Sequence, residues 1–270
     1  MVVLPLHIND PEAAAEYVAY HYWDNFDFTD TTYVDLPEVT EQAFANYLAV
    51  LFEMPDNLAL SSINHTLEEA SKDTAMFNYF TELSKKYLYD PNSPFLNEEL
   101  YIPVLEFMLA SPLLTDLEKI RPQYRLDMAM KNRAGTAATD FVYTDIDGSR
   151  STLHNVNSEY TLLFINNPGC SACKDIIRGI NMSPVMNRMV ESGVLTVLAV
   201  YPDRNLDEWR EYAEWIPDTW INAYDTDHVM DSLKLYDLKA IPTLYLLDNK
   251  KIVLLKDATL ELVEDYLIKN

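Results

Sequence analysis

The stretch Tyr160–Lys174, Y-T-L-L-F-I-N-N-P-G-C-S-A-C-K, decides how the chain is read. Its first half, Tyr160 to Asn166, is a near-continuous apolar run, the mark of a strand buried on both faces. Pro168-Gly169 then breaks the chain, and Cys170-Ser171-Ala172-Cys173-Lys174 opens a helix whose apolar positions continue through Ile176, Ile177 and Ile180. Two thiols at C-x-x-C spacing on the first turn of a helix lie within bonding reach, so they can close a small disulfide with little backbone movement. The helix start offers unsatisfied N–H groups and a partial positive charge, which favour a thiolate on Cys170; Lys174 and Arg178 add to that field if they face it. Cys170 is therefore the expected nucleophile and Cys173 the expected resolving thiol. A C-x-x-C pair alone can also be coincidence or part of a metal site, but its place between a buried strand and a helix is the context that redox chemistry requires.

Working outward, the segment from Gly135 to Asn270 alternates short apolar runs with helices, the pattern of an α/β layer structure. Phe141-Val142-Tyr143 reads as a strand entering the turn Asp145-Ile146-Asp147-Gly148. Ser183-Pro184 reads as a fresh helix cap, Val194 to Tyr201 as a second buried strand, and Leu206 to Trp215 and Val229 to Tyr236 as helices. Thr243 to Leu247 and Ile252 to Leu255 form a hairpin around Asp248-Asn249-Lys250, and a last helix runs from Thr259 to Ile268. The N-terminal half reads differently. From Asp10-Pro11, an N-cap with proline at the first helical position, the periodicity predicts helices over 13–23, 37–53, 58–70, 74–89, 97–110 and 116–131, with no fixed-period repeat. The chain is thus expected to hold an all-helical domain over residues 1–134 and an α/β domain over residues 135–270.

Composition narrows the function. At 270 residues and 49% hydrophobic, the chain can bury a sizeable core, which argues against disorder. The net charge of -23 is shared by both halves, with 8 basic and 22 acidic residues before Ala134 and 12 and 21 from it onward. No Lys or Arg precedes Lys72, so nucleic acid and anionic membrane surfaces are poor partners. No apolar run approaches the roughly 20 residues that span a bilayer. Met1 to His7 offers neither the positive start nor the apolar stretch of a secretory signal, so any lipid anchor would come from a segment absent from this sequence. Two cysteines three positions apart cannot build a disulfide framework. The five histidines, His7, His21, His65, His154 and His228, are scattered without ligand spacing, so no metal site is expected.

With these residues in view, Gly135 to Asn270 resembles the thioredoxin superfamily, and more narrowly the TlpA/ResA-like thiol-disulfide oxidoreductases. Asp140-Phe141 with Asp147-Gly148 is similar to that family's opening hairpin, Pro168-Gly169-Cys170-Ser171-Ala172-Cys173-Lys174 to its active-site turn, and Ile241-Pro242-Thr243 to its cis-proline segment. The resemblance implies a thioredoxin-like fold, a central mixed sheet flanked by helices, preceded here by the all-α domain. It also implies exchange of disulfides with protein or peptide thiols, no cofactor, Pro242 as the cis-proline and Ile241 as the residue that pairs with an extended substrate strand, beside Gly169. Leu206 to Trp215 and the stretch Ile221 to Tyr224 resemble the extra helix and strand of the TlpA-like branch.

The chain also departs from the family. Gly169 stands where an aromatic residue usually precedes the first cysteine, which puts active-site shielding in doubt. Phe164 stands where thioredoxins place a buried acid, six residues before that cysteine. Asp175 could substitute for the acid, or be simple surface charge. The N-terminal half resembles the uncharacterised helical extension of some Gram-negative lipoproteins, through Tyr20 to Phe28 and Pro37 to Glu41. That likeness implies a periplasmic or cell-envelope setting. The cluster Tyr20, Tyr22, Trp23, Phe26 and Phe28 is either a binding surface or an aromatic core, and His21 beside it reads as a hydrogen-bonded packing residue. Two other functions compete: a non-catalytic envelope scaffold holding Cys170 and Cys173 as a static disulfide, and peroxidase chemistry. The latter needs a Thr-x-x-Cys environment and meets Asn167 instead.

Overall fold

The computed structural model describes residues 2–270, so Met1, part of the segment read above for a secretory signal, lies outside the described residues. The chain divides into two compact units, residues 1–127 and 128–270. A helical region is followed by a mixed seven-stranded sheet with flanking helices, the architecture of a thioredoxin-like fold.

The first unit is built from α1 (Pro11–His21), α2 (Gln42–Leu51), α3 (Asp56–Ala70), α4 (Thr74–Leu88), α5 (Glu98–Ala110) and most of α6 (Asp116–Ala129). Side-chain caps fix several starts, as oxygens of Asp10, Asp73 and Asn97 accept the N–H groups of Ala13, Met76 and Leu100 at 2.8, 3.0 and 3.1 Å. Where one helix was expected from Pro37 to Glu53, Pro37–Glu41 forms a π-helical turn instead. Thr40 in that turn is buried, with its hydroxyl donating to the Tyr33 carbonyl at 2.7 Å, a bond that draws the turn toward the preceding loop. The aromatic cluster is core: Trp23 and Phe28 are buried, Tyr22 and Phe26 pack against them, and Tyr20 alone of the five is half exposed. His21 donates or accepts at Asp24 over 2.7 Å and packs against Tyr17, as a packing residue would.

The second unit contains β1 (Val142–Asp145), β2 (Arg150–Thr152), β3 (Tyr160–Ile165), α7 (Ser171–Met182), α8 (Pro184–Glu191), β4 (Leu195–Tyr201), α9 (Leu206–Tyr212), β5 (Ile221–Asp225), α10 (Val229–Ser232), β6 (Thr243–Leu247), β7 (Val253–Lys256) and α11 (Leu260–Lys269). The strand order is β2-β1-β5-β4-β3-β6-β7, with β3 parallel to β4, β4 parallel to β5, and the remaining pairs antiparallel. Alternation along β3 explains its continuous apolar run. Leu162 and Phe164 join a core with Cys173, Ile177 and Ile180 of α7 and Val263 of α11, while Leu163 and Ile165 join the opposite core with Phe141, Met230 and Tyr236. Beyond β7 the backbone of 135–138 continues the pairing: Gly135 N–H donates to the Val253 carbonyl, Val253 N–H to the Thr136 carbonyl, and Ala138 N–H to the Lys251 carbonyl, each at 2.8 Å. The helix expected over 229–236 stops after one turn, because Lys234 adopts φ +49, a left-handed conformation that a helix cannot continue through.

Candidate active site

The sequence Asn166-Asn167-Pro168-Gly169 carries the chain from the end of β3 to the start of α7. Gly169 has φ +77, and a Cβ built on it would meet no atom within 4 Å. The glycine is there for its left-handed backbone and not for want of space. Cys170 follows in an extended conformation as the N-cap of α7, and its sulfur accepts the N–H of Cys173 at 3.1 Å. The sulfur thus takes the part that a Ser or Asp oxygen plays at other helix starts, and it faces the N–H groups and positive end of the helix.

Three residues on, Cys173 turns its side chain inward with Ile177 and Ile180, at helical spacing, and is completely buried. Burial pushes its thiol up to about 12, and the hydrogen bond and charge of Cys170 add to the rise, while backbone hydrogen bonding from Asn167 opposes it. Cys170 is half-buried and reachable, so one sulfur meets solvent and its neighbour is sealed from it. Both are free thiols.

Across the site the Ile241–Pro242 peptide is cis, and the Cys170 thiol lies 3.7 Å from the Ile241 carbonyl oxygen, in donating geometry. The fold therefore brings Gly169, Cys170, Cys173 and Ile241 to one end of the sheet, although 71 residues separate Cys170 from Ile241. A cleft of about 320 Å³ opens beside them, lined by Asn167, Arg204, His228, Asp231, Leu238 and Ile241.

The two cations that would add to the field if they faced the thiols have partners of their own. The Lys174 ammonium sits 4.0 Å from the centre of the Trp215 ring, and Arg178 pairs with Asp175 at 3.0 Å. Asp175, 70% exposed, is surface charge, and Phe164 is fully buried in the core that holds Cys173. One neighbour escaped the sequence reading: Tyr212 of α9 is buried in the same core as Cys173. Its spacing from Trp209 and Ile216, three and four residues away, is the helical signal that could have exposed it. Among the described residues no group of three or more His, Cys, Asp or Glu is placed to hold a metal ion, and no helix is long and apolar enough to cross a membrane.

A solved structure of a thioredoxin-like protein from Bacteroides caccae matches the whole of this chain and 98% of that one, at 47% identity and a TM-score of 0.97. The chain belongs to the thioredoxin-like proteins. The C-terminal domain of an uncharacterized protein from Bacteroides fragilis matches 51% of this thioredoxin-like chain and 98% of its own, at 52% identity and a TM-score of 0.50. Residues 1–132 match a family described as a domain of unknown function, DUF5106. None of the curated proteins compared with this thioredoxin-like chain matches it.

Proposed function

We propose that this thioredoxin-like protein is a thiol-disulfide oxidoreductase acting on protein or peptide partners in the cell envelope. The observation that carries the reading is the asymmetry of the two thiols: Cys170 is reachable and capped by helix N–H groups, while Cys173 is buried and held protonated. The Cys170 thiolate attacks a partner disulfide, forming a mixed disulfide and releasing one partner thiolate. Cys173 then attacks the Cys170 sulfur, closing the Cys170–Cys173 bond and breaking the mixed disulfide, and the proton it loses ends on the second partner sulfur, which leaves as a thiol. Two thiols are oxidised and one partner disulfide is reduced. Run backwards, the same steps oxidise a partner dithiol.

In this reading the half-buried Ile241, next to Pro242, offers its backbone to an extended partner segment, and Gly169 leaves the approach to Cys170 unobstructed. The envelope setting, with any lipid anchor supplied by a segment outside this sequence, rests on the resemblance to envelope proteins bearing a helical extension. The test is a trapping experiment. Cys173→Ser should retain partners as covalent adducts released by dithiothreitol, and Cys170→Ser should abolish reduction of insulin disulfides. A wild-type protein inactive toward insulin, whose Cys170–Cys173 bond survives strongly reducing glutathione buffers, would instead mark a scaffold with a static disulfide.

A further inference from the structure

The core that seals Cys173 is made mostly of aliphatic and aromatic side chains, among them Leu162, Phe164, Val197 and Leu244. A thiol in such a place must ionise to attack, and Phe164 supplies no polar atom to help it. Tyr212 stands in the same core, 6% exposed, and its hydroxyl is buried without a hydrogen-bond partner. An unpaired buried hydroxyl destabilises a fold relative to phenylalanine, so its presence here calls for a reason. Its position is fixed from one turn earlier. The Trp209 indole N–H donates to Asn222 Oδ1 at 3.0 Å, and its ring packs edge-on to Tyr224 at 5.0 Å, tying α9 to β5. Tyr212 follows three residues later, on the same buried side of α9.

Tyr212 and Cys173 are buried in one core, and Cys170 packs against it. Burial, then the charges of Cys173 and Cys170, push the Tyr212 ionisation up to about 12. It stays protonated at neutral pH, which rules out a role as base and leaves it as a donor.

We infer that the Tyr212 hydroxyl is the hydrogen-bond donor that meets the negative charge developing on Cys173 as this thiol attacks the mixed disulfide on Cys170. In the resting dithiol the Cys173 sulfur is neutral and the hydroxyl makes no bond. The interaction forms as the sulfur loses its proton, so it lowers the barrier to attack without favouring either end state. The inference rests on the exchange chemistry proposed above.

The experiment is stopped-flow reaction of the reduced protein with dithiobis(nitrobenzoate), which releases one coloured thiolate when Cys170 attacks and a second when Cys173 displaces it. Tyr212→Phe keeps the ring and removes only the unpaired hydroxyl. The first phase should stay within about twofold of wild type and the second should slow about tenfold, as expected for loss of a bond to a charged group. The thiol-disulfide equilibrium with glutathione should not move. Unchanged rates in both phases would overturn the assignment, as would equal slowing of both or a shifted equilibrium, which would mark a structural role. Absence of the second phase in the wild type would defeat the exchange reading itself.

Discussion

Burial of Cys173 makes a quantitative claim about its reactivity. With its thiol pushed up to about 12, chiefly by burial, about one molecule in ten thousand carries the thiolate near pH 8, against about one in four for an ordinary cysteine. Cys170→Ser isolates Cys173, and serine preserves the cap on α7 because its oxygen can accept the same Cys173 N–H. Iodoacetamide alkylation followed by mass spectrometry should then rise tenfold for each pH unit, with no plateau below about pH 10 even after the contribution of Cys170 is lost. The stability of the reduced wild type should follow the same group. A folded-state value raised above the unfolded one means that stability is complete below the ordinary thiol range and falls as pH climbs from there toward 12. The urea midpoint should therefore drop more steeply with pH for wild type than for Cys173→Ala, which has no thiol to ionise. An alkylation plateau at an ordinary thiol pH, or parallel urea profiles for the two proteins, would refute the reasoning.

Other expectations follow from local geometry. Gly169→Ala should destabilise the protein by about 1 kcal/mol in urea titrations, because φ +77 strains any residue with a Cβ, while Asn at that position should cost less. Tyr47→Phe should cost about 1–2 kcal/mol in the same titrations, since the buried hydroxyl bonds Ser62 and Thr66 at 2.7 and 3.0 Å. On α7, a Cβ at Gly179 would lie 2.4 Å from Leu260 Cδ2, so Gly179→Ala and Leu260→Ala should be non-additive, with a coupling of about 0.5 kcal/mol or more in a double-mutant cycle.

What could be read from the residues depended on how local each cause was. The strand over 160–165, the break at Pro168-Gly169 and the helix opening at Cys170 are all set by neighbours in sequence, and the thioredoxin-like architecture was legible from them. The N-cap at Ser183 was equally plain, since its hydroxyl accepts the Met186 N–H only three residues on. The approach of Ile241 to Cys170 depends on the β3–β6 pairing, so only the likeness of Ile241-Pro242-Thr243 to a known segment hinted at it. The early end of α10 reflects the left-handed turn at Lys234, a residue with no marked preference for that conformation, and nothing in its type foretold it. Side-chain direction was hardest to foresee. Lys174 and Arg178 follow the thiols in sequence, yet an aromatic ring and a carboxylate claim them, while Tyr212 reaches the sulfur environment from a helix 39 residues beyond Cys173.

The backbone of 135–138 also bears on where this chain can be cut. β7 ends the strand order, and a bare outer strand presents unpaired N–H and C=O groups that can template pairing with other copies. A fragment beginning at Thr139 strips away that short cover and should self-associate in light scattering, whereas one beginning at Met128 keeps it and should stay dispersed. A cut that spares every residue from Gly135 onward, where the sequence rhythm changes, therefore leaves that cover in place.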